Sequence, residues 1–245
     1  MYRRLRLLIP RFQPIMDIVH KKYAIYTTLF GNYETLNELE ISKRHDVSYV
    51  VFTDDPELKS STWEVRCIKP VFPDDSVRSQ RYVKILAHKF LNENFVLYID
   101  NTVKLKSDPI PLFKVFNLKK CGLAFPDHDY RATVEDEFTA VLELKLDEER
   151  VLINFLETYK RFHPEVLDSK PYWTGFFFRD LRNKDVLQVM ENWAFLVTRY
   201  SRRDQLSLNL ALKNFHFKPI RLQFPLLKSE WHEWPIHSNR ANNKF

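Results

Sequence analysis

The sequence predicts an α/β fold, with a mostly parallel mixed central sheet flanked by helices. Three observations predict it. The run Phe95-Val96-Leu97-Tyr98-Ile99 is apolar without a break and stops at a carboxylate, Asp100. A strand with no polar face belongs in a sheet covered on both sides, the usual setting of parallel strands. β-rich runs at residues 23–30, 47–53 and 63–68 precede a segment in which Val83, Leu86, Ala87, Phe90 and Leu91 fall at helical spacing, so strands and helices alternate early. With 245 residues and 44% hydrophobic content, the chain can bury a substantial core.

Taken in order, the first strand ends at Phe30 in the turn Gly31-Asn32-Tyr33, where a base or ribose can lie. The second stops at Asp54-Asp55-Pro56, which reads either as a turn or as carboxylates placed to meet a nucleoside. After Pro70 and Pro73, Asp74-Asp75-Ser76 supplies a helix start, and Arg81, Lys84 and His88 line a face apart from the apolar one. The Asp100 strand follows directly, so strand, helix and strand form a right-handed crossover that turns Arg81 and Lys84 toward a phosphate region. Asp100 emerges at the carboxyl edge, where open α/β sheets bind ligands. A carboxylate there can hold a hard divalent cation whose other positions go to water and a diphosphate.

An alternating strand resumes at Val103-Lys104-Leu105, Ser107-Asp108-Pro109 opens a short helix near residues 112–116, and residues 121–125 read as a strand closed by Pro126. Asp127 to Arg131 form a polar loop, and the charge-rich stretch up to Glu149 is assigned no element. Residues 150–162 form a helix with Val151, Phe155, Leu156 and Tyr159 on one side. A buried strand at 171–180 is entered through Trp173-Thr174-Gly175, which shape either an acceptor platform or core. A helix spans 185–196. Ser201-Arg202-Arg203-Asp204-Gln205 then leads into the apolar residues 206–215; Ser201 and Asp204 stand at capping-box spacing, the structural alternative to a catalytic Asp204. The tail carries Trp231, His232, Trp234 and His237. One domain is expected over residues 23–245, preceded by a basic arm at 1–22 that is too short and too interrupted by Pro10 and Pro14 to span a bilayer.

Composition removes several classes. Only Gly31, Gly122 and Gly175 are glycine, so neither a G-x-G-x-x-G fingerprint nor a Walker loop exists, and any phosphate must be held by a metal, basic side chains or helix N-termini. No H-E-x-x-H or G-x-S-x-G occurs. Cys67 and Cys121 have no metal-ligand spacing, which points to a reducing compartment. The net charge of +6 fits an anionic partner without choosing one.

Four patterns, in this order, resemble the glycosyltransferase-like family of plant seed-coat mucilage proteins and bacterial relatives: Phe30-Gly31-Asn32-Tyr33, Lys84-Ile85-Leu86-Ala87-His88, Tyr98-Ile99-Asp100-Asn101, and Ser201-Arg202-Arg203-Asp204-Gln205-Leu206-Ser207. The resemblance covers about Tyr23 to Phe215. It implies a GT-A type fold and transfer of a sugar from a nucleoside-diphosphate sugar to an acceptor hydroxyl, in surface glycan or polysaccharide synthesis. The donor would meet Phe30, Gly31, Asp54, Arg81, Lys84, Asp100 and Asn101. Mn2+ or Mg2+ would sit on Asp100, Thr102 and a tail histidine, His237 or else His232, with Asp204 and Arg203 as catalytic residues. Asp-x-Asp is the general GT-A metal motif, whereas Asp100-Asn101-Thr102 stands here, so transfer assisted by Arg81, Lys84 or Arg203 alone is a second route. The partners implied are a nucleotide sugar and a glycan or lipid-linked acceptor, with no nucleic acid. A cytoplasmic location is expected, with peripheral membrane contact through the basic arm as an option. The competing readings are a non-catalytic basic module for nucleic acid or anionic lipid, and a nucleotidyltransferase or phosphohydrolase on a similar sheet.

Overall fold

The computed structural model describes residues 21–115 and 121–236; the basic arm through residue 20 and His237 lie outside them. The main sheet contains β1 (Tyr23–Leu29), β2 (Val47–Thr53), β3 (Glu64–Cys67), β4 (Phe95–Ile99), β6 (Leu123–Pro126), β7 (Phe176–Asp180) and β8 (Ile220–Leu222). A separate ribbon pairs β5 (Lys104–Leu105) with β9 (His232–Glu233). The helices are α1 (Ser76–Ile85), α2 (Ile110–Val115), α3 (Val134–Glu143), α4 (Glu149–Phe162), α5 (Pro164–Leu167), α6 (Lys184–Arg199) and α7 (Gln205–Asn214).

The strand order is β3-β2-β1-β4-β7-β6-β8, which puts β4 at the centre. β1 to β4 are mutually parallel, β7 is antiparallel to both β4 and β6, and β8 runs with β6. Every main-sheet strand except β7 therefore ends on the same edge. Between β1 and β4 the chain changes its direction of advance across the sheet, and a crevice opens beyond the carboxyl ends at such a switch point.

The unbroken apolar run of β4 is explained by two covered faces. Val96 and Tyr98 join a core with residues of α1, α3, α4, α6 and α7, whereas Phe95, Leu97 and Ile99 point into a second core with Phe113 of α2, Trp63 and Leu226. Phe177 against Phe176 and Phe178 repeats this alternation on β7. A Leu97→Ala cavity at this depth would cost about 2–5 kcal/mol.

α3 occupies the stretch to which the sequence pattern assigned no element. Thr133 and Asp136 close a capping box around its first turn, and Val134, Phe138 and Val141 are buried. The capping box that was the structural alternative at Ser201 and Asp204 does not form. Instead the Ser201 hydroxyl donates to Asp147 Oδ2 at 2.6 Å and accepts from the Arg203 amide at 3.1 Å, leaving the Asp204 carboxylate to face elsewhere. No helix among the described residues is long and apolar enough to cross a membrane.

Candidate active site

Asp100 sits where β4 ends at the switch point. Its amide donates to the Gly175 carbonyl at 2.8 Å, pinning the strand end to the entry of β7. Gly175 is needed there because a Cβ would come within 2.6 Å of the Trp173 ring. The Tyr98 hydroxyl donates to Asp100 Oδ1 at 2.7 Å; burial pushes that phenol well above its ordinary value, so the donor proton stays in place. The Asp100 side chain remains 28% exposed.

Arg81 and Lys84 are one turn apart on α1, and side chains on a helix lean toward its N-terminus. That end lies beside the end of β1, where Gly31 holds φ of +79° and a Cβ would collide with Ser76. Both cations are thereby carried toward the carboxyl edge. Lys84 is 1% exposed, and its Nζ lies 2.7 Å from Asp204 Oδ2, 3.5 Å from Asp100 Oδ1 and 3.4 Å from Thr174 Oγ1. It also stands 4.7 Å above the Tyr98 ring. Two donors fix the Lys84 backbone carbonyl: the Tyr26 hydroxyl at 2.5 Å and the buried Arg179 guanidinium at 3.0 Å.

Arg81 Nε is 3.4 Å from Asp204 Oδ1 without hydrogen-bond alignment. Burial opposes its charge, but Asp204 and Asp100 more than offset that and raise its pKa. For Asp204, desolvation would raise the pKa, yet Lys84 and then Arg81 hold it down at about 2. A carboxylate so acidic is a weak proton acceptor near neutral pH, so its geometry suits holding the two cations better than taking a proton. Arg203 makes no side-chain hydrogen bond among the described residues; burial, and then repulsion from Arg81, lower its pKa.

A second group adjoins this one through α7. Gln205, next to Asp204, donates to Glu137 Oε1 at 3.1 Å, and Glu137 Oε2 lies 3.2 Å from Arg131 Nε and 4.0 Å from His128 Nε2. Burial raises the Glu137 pKa against the pull of Arg203 and Arg131. Burial, and then Arg131, lower His128 to about 4. Glu137 was not among the residues singled out from the sequence, and Tyr98 was named there only as part of the strand and its Tyr98-Ile99-Asp100-Asn101 pattern, without a role of its own. The signal for Glu137 was a carboxylate interrupting the apolar stripe Val134, Phe138 and Val141 of a helix the charge pattern concealed.

Beyond the ends of β1 and β2, a cavity of about 230 Å³ is lined by Leu29, Asn32, Tyr33, Thr53 and Asp55, among others. Asp54 ties the two strand ends together by accepting from the Gly31 amide at 2.9 Å and 3.1 Å. Asp55 Oδ1 accepts from the Glu57 amide, the turn alternative foreseen for this strand end.

The structure thus brings Asp100, Lys84, Arg81, Arg203 and Asp204 together, and sets Gly31 and Asp54 at the neighbouring strand ends. Other expected contacts face inward. Phe30 is wholly buried in the core. Asn101 is 5% exposed, its Oδ1 accepting from the Asn37 amide and its Nδ2 donating to the Thr35 carbonyl, both at 2.8 Å. Thr102 is 7% exposed, and its hydroxyl accepts from Trp234 Nε1 at 3.2 Å. Trp173 packs on His232 and Trp234, so it is core rather than platform. His232 is buried against the Leu226 carbonyl and Ser229.

These donors fit a divalent cation poorly. Asp100 is the one acidic side chain of the Asp100-Asn101-Thr102 run, and the other two polar side chains are consumed by the scaffold. Among the described residues no group of three or more His, Cys, Asp or Glu could hold a metal. A dication on Asp100 would also meet the Lys84 ammonium, which already stands 3.5 Å from Asp100 Oδ1, and like charges repel.

Fold and site together define an open-sheet α/β protein with a cluster of charged side chains at its switch point. More particularly, the sequence matches the TOD1/MUCI70, glycosyltransferase-like domain over residues 14–230, and the chain belongs to that family. Among solved structures it is similar to the glycosyltransferase GlyE of Streptococcus pneumoniae TIGR4, with 13% identity and a TM-score of 0.45. The likeness covers 83% of this chain and 45% of that one, so the chain spans less than half the length of that protein. No curated protein matches.

Proposed function

We propose that this chain transfers a sugar from a nucleoside-diphosphate sugar to an acceptor hydroxyl of a glycan or lipid-linked acceptor, in building a surface glycan. The observation that carries this reading is the convergence of Asp100, Lys84, Arg81 and Arg203 at the switch point. The cavity beyond β1 and β2, next to them, suits a nucleoside. In the reaction, the bond between the anomeric carbon and the diphosphate oxygen breaks and its electron pair leaves with the diphosphate. The acceptor oxygen bonds to the anomeric carbon and gives up its proton. Lys84, Arg81 and Arg203 would take up the charge on the leaving group. Asp204 would hold Lys84 and Arg81 in place. Glu137 would accept the proton, since its burial brings its pKa closer to the working range than that of Asp204.

Incubation with a panel of labelled nucleotide sugars and mixed glycan acceptors, followed by product analysis, tests the reading. A glycosylated product is expected, and Arg81→Met, which removes one of the cations that take up the leaving-group charge while Lys84 stays paired with Asp204, should lower its rate by about 100-fold or more. Unchanged transfer by Arg81→Met would defeat the assignment of the site. Release of nucleotide to water, with no sugar on any acceptor, would favour a hydrolase instead.

A further inference from the structure

Lys84 is placed as a bound cation would be. Its ammonium is enclosed, with oxygens of Asp204, Asp100 and Thr174 at 2.7, 3.5 and 3.4 Å and the Tyr98 ring on another side. Arg81 and Arg203 stand close enough to repel one another, Arg81 Nε is buried without an aligned acceptor, and the Arg203 guanidinium makes no hydrogen bond among the described residues. Guanidinium donors without aligned acceptors, beside the partly exposed Asp100, are open to an entering polyanion, and each guanidinium offers paired N–H donors matched to phosphate oxygens. The residues that follow Asp100 have meanwhile been turned into the scaffold, where Thr35, Asn37 and Trp234 engage them.

We propose that the donor diphosphate is held by the fixed cations Lys84, Arg81 and Arg203, and that donor binding and sugar transfer proceed without a divalent metal. This rests on the nucleotide-sugar reading above. As the bond from the anomeric carbon to the diphosphate breaks, the departing electron pair meets the Lys84 ammonium and the two guanidinium groups. These are already in place and need no ion recruited from solution. Asp204 keeps Lys84 and Arg81 oriented. Asp100 marks the lip on which the diphosphate lands, and its own charge is offset by Lys84.

Calorimetric titration of the chain with UDP, GDP, ADP and CDP, in buffer containing EDTA and again with added Mn2+, tests this. At least one nucleoside diphosphate is expected to bind with Kd values that agree within about threefold between the two buffers. Its affinity should fall as salt rises. Arg81→Met and Lys84→Met should each weaken it by about tenfold or more in EDTA; because the closer Lys84–Asp204 pair survives the loss of Arg81, the Arg81 variant carries the test if Lys84→Met fails to fold. Binding lost in EDTA and restored by Mn2+ would overturn the proposal while leaving the nucleotide-sugar reading intact. Absence of binding to all four nucleotides in both buffers would defeat the two together.

Discussion

Replacing Lys84 with methionine tests whether its ammonium is the keystone of the site. The side chain is 1% exposed and its nearest carboxylate, Asp204, is 6% exposed, so the substitution leaves a buried charge without its main partner. At 2.7 Å and an effective dielectric of 20, the gross attraction is about 6 kcal/mol. Desolvation of both groups consumes much of that, and breaking a buried pair from one side costs about 3–5 kcal/mol. Arg81 stays 3.4 Å away and continues to offset part of the charge, which favours the lower figure of about 3 kcal/mol. For a chain of this size that is a fall of about 6–12 °C in Tm. Linkage gives an independent scale. Asp204 is held at about 2 against an ordinary 3.8, so its ionised form contributes about 2 kcal/mol. Because the folded pKa is depressed, that contribution is complete above 3.8 and disappears as pH falls through about 2. Thermal unfolding of the parent, Lys84→Met, Asp204→Asn and the double variant at neutral pH measures the coupling. The double variant should recover at least half of the loss. Losses that simply add, or a Lys84→Met chain as stable as the parent, would refute the pairing.

Two further outcomes follow from the group around α3. Glu137→Gln should lower kcat by about 100-fold or more with little change in donor KM, since a proton acceptor acts in the transition state; an unchanged kcat would remove Glu137 from the reaction. His128 is held at about 4 rather than 6.5 by burial and then by Arg131. Its folded pKa is depressed, so its contribution of about 3 kcal/mol is present above 6.5 and lost as pH falls through about 4. Glu137 acts in the opposite sense, because its raised pKa gives a contribution that is lost as pH rises. Denaturant unfolding of the parent and His128→Asn across pH 7 to 4 should show the variant flattening the acid slope; parallel curves would count against a buried neutral His128.

Most of the frame was legible because strands and helices bury apolar residues with different periods. β4 announced itself as central by having no polar face, and the position of Asp100 at its end followed from the same five residues. The start of α1 was legible from its cap, where Asp75 accepts from the Arg78 amide, but the apolar spacing Val83, Leu86, Ala87, Phe90 and Leu91 overran its end: α1 closes at Ile85 and Ala87–Lys89 continue as a single 3-10 turn. What stayed hidden was set by contacts distant in sequence. Nothing local tells that Asp204 reaches Lys84, 120 residues earlier, rather than capping its own helix. Nor does the string Asp-Asn-Thr disclose that Asn37 and Trp234 have already engaged its last two members. α3 was obscured because solvated charges dilute the stripe that marks its buried face.

The inward turn of Thr102 bears on what restoring the missing carboxylate would do. In the general Asp-x-Asp pattern the third residue is an acid, and Thr102→Asp writes that pattern into this chain. Here, however, position 102 is 7% exposed and points at Trp234 Nε1 rather than into the cleft. An aspartate there would gain one indole donor and lose most of its hydration. Among the described residues no cationic side chain hydrogen-bonds Thr102, so the charge would be largely uncompensated, at a cost of about 3 kcal/mol. Thr102→Asp is therefore expected to lower Tm by about 6–12 °C without making nucleotide binding depend on Mn2+. Thermal unfolding and calorimetric Mn2+ titration in the presence of the bound nucleoside diphosphate read the two effects. A variant that keeps the parent's stability and gains Mn2+-dependent binding would show that position 102 can turn outward and complete a metal site, and the fixed-cation account of the diphosphate would then fail at its geometric premise.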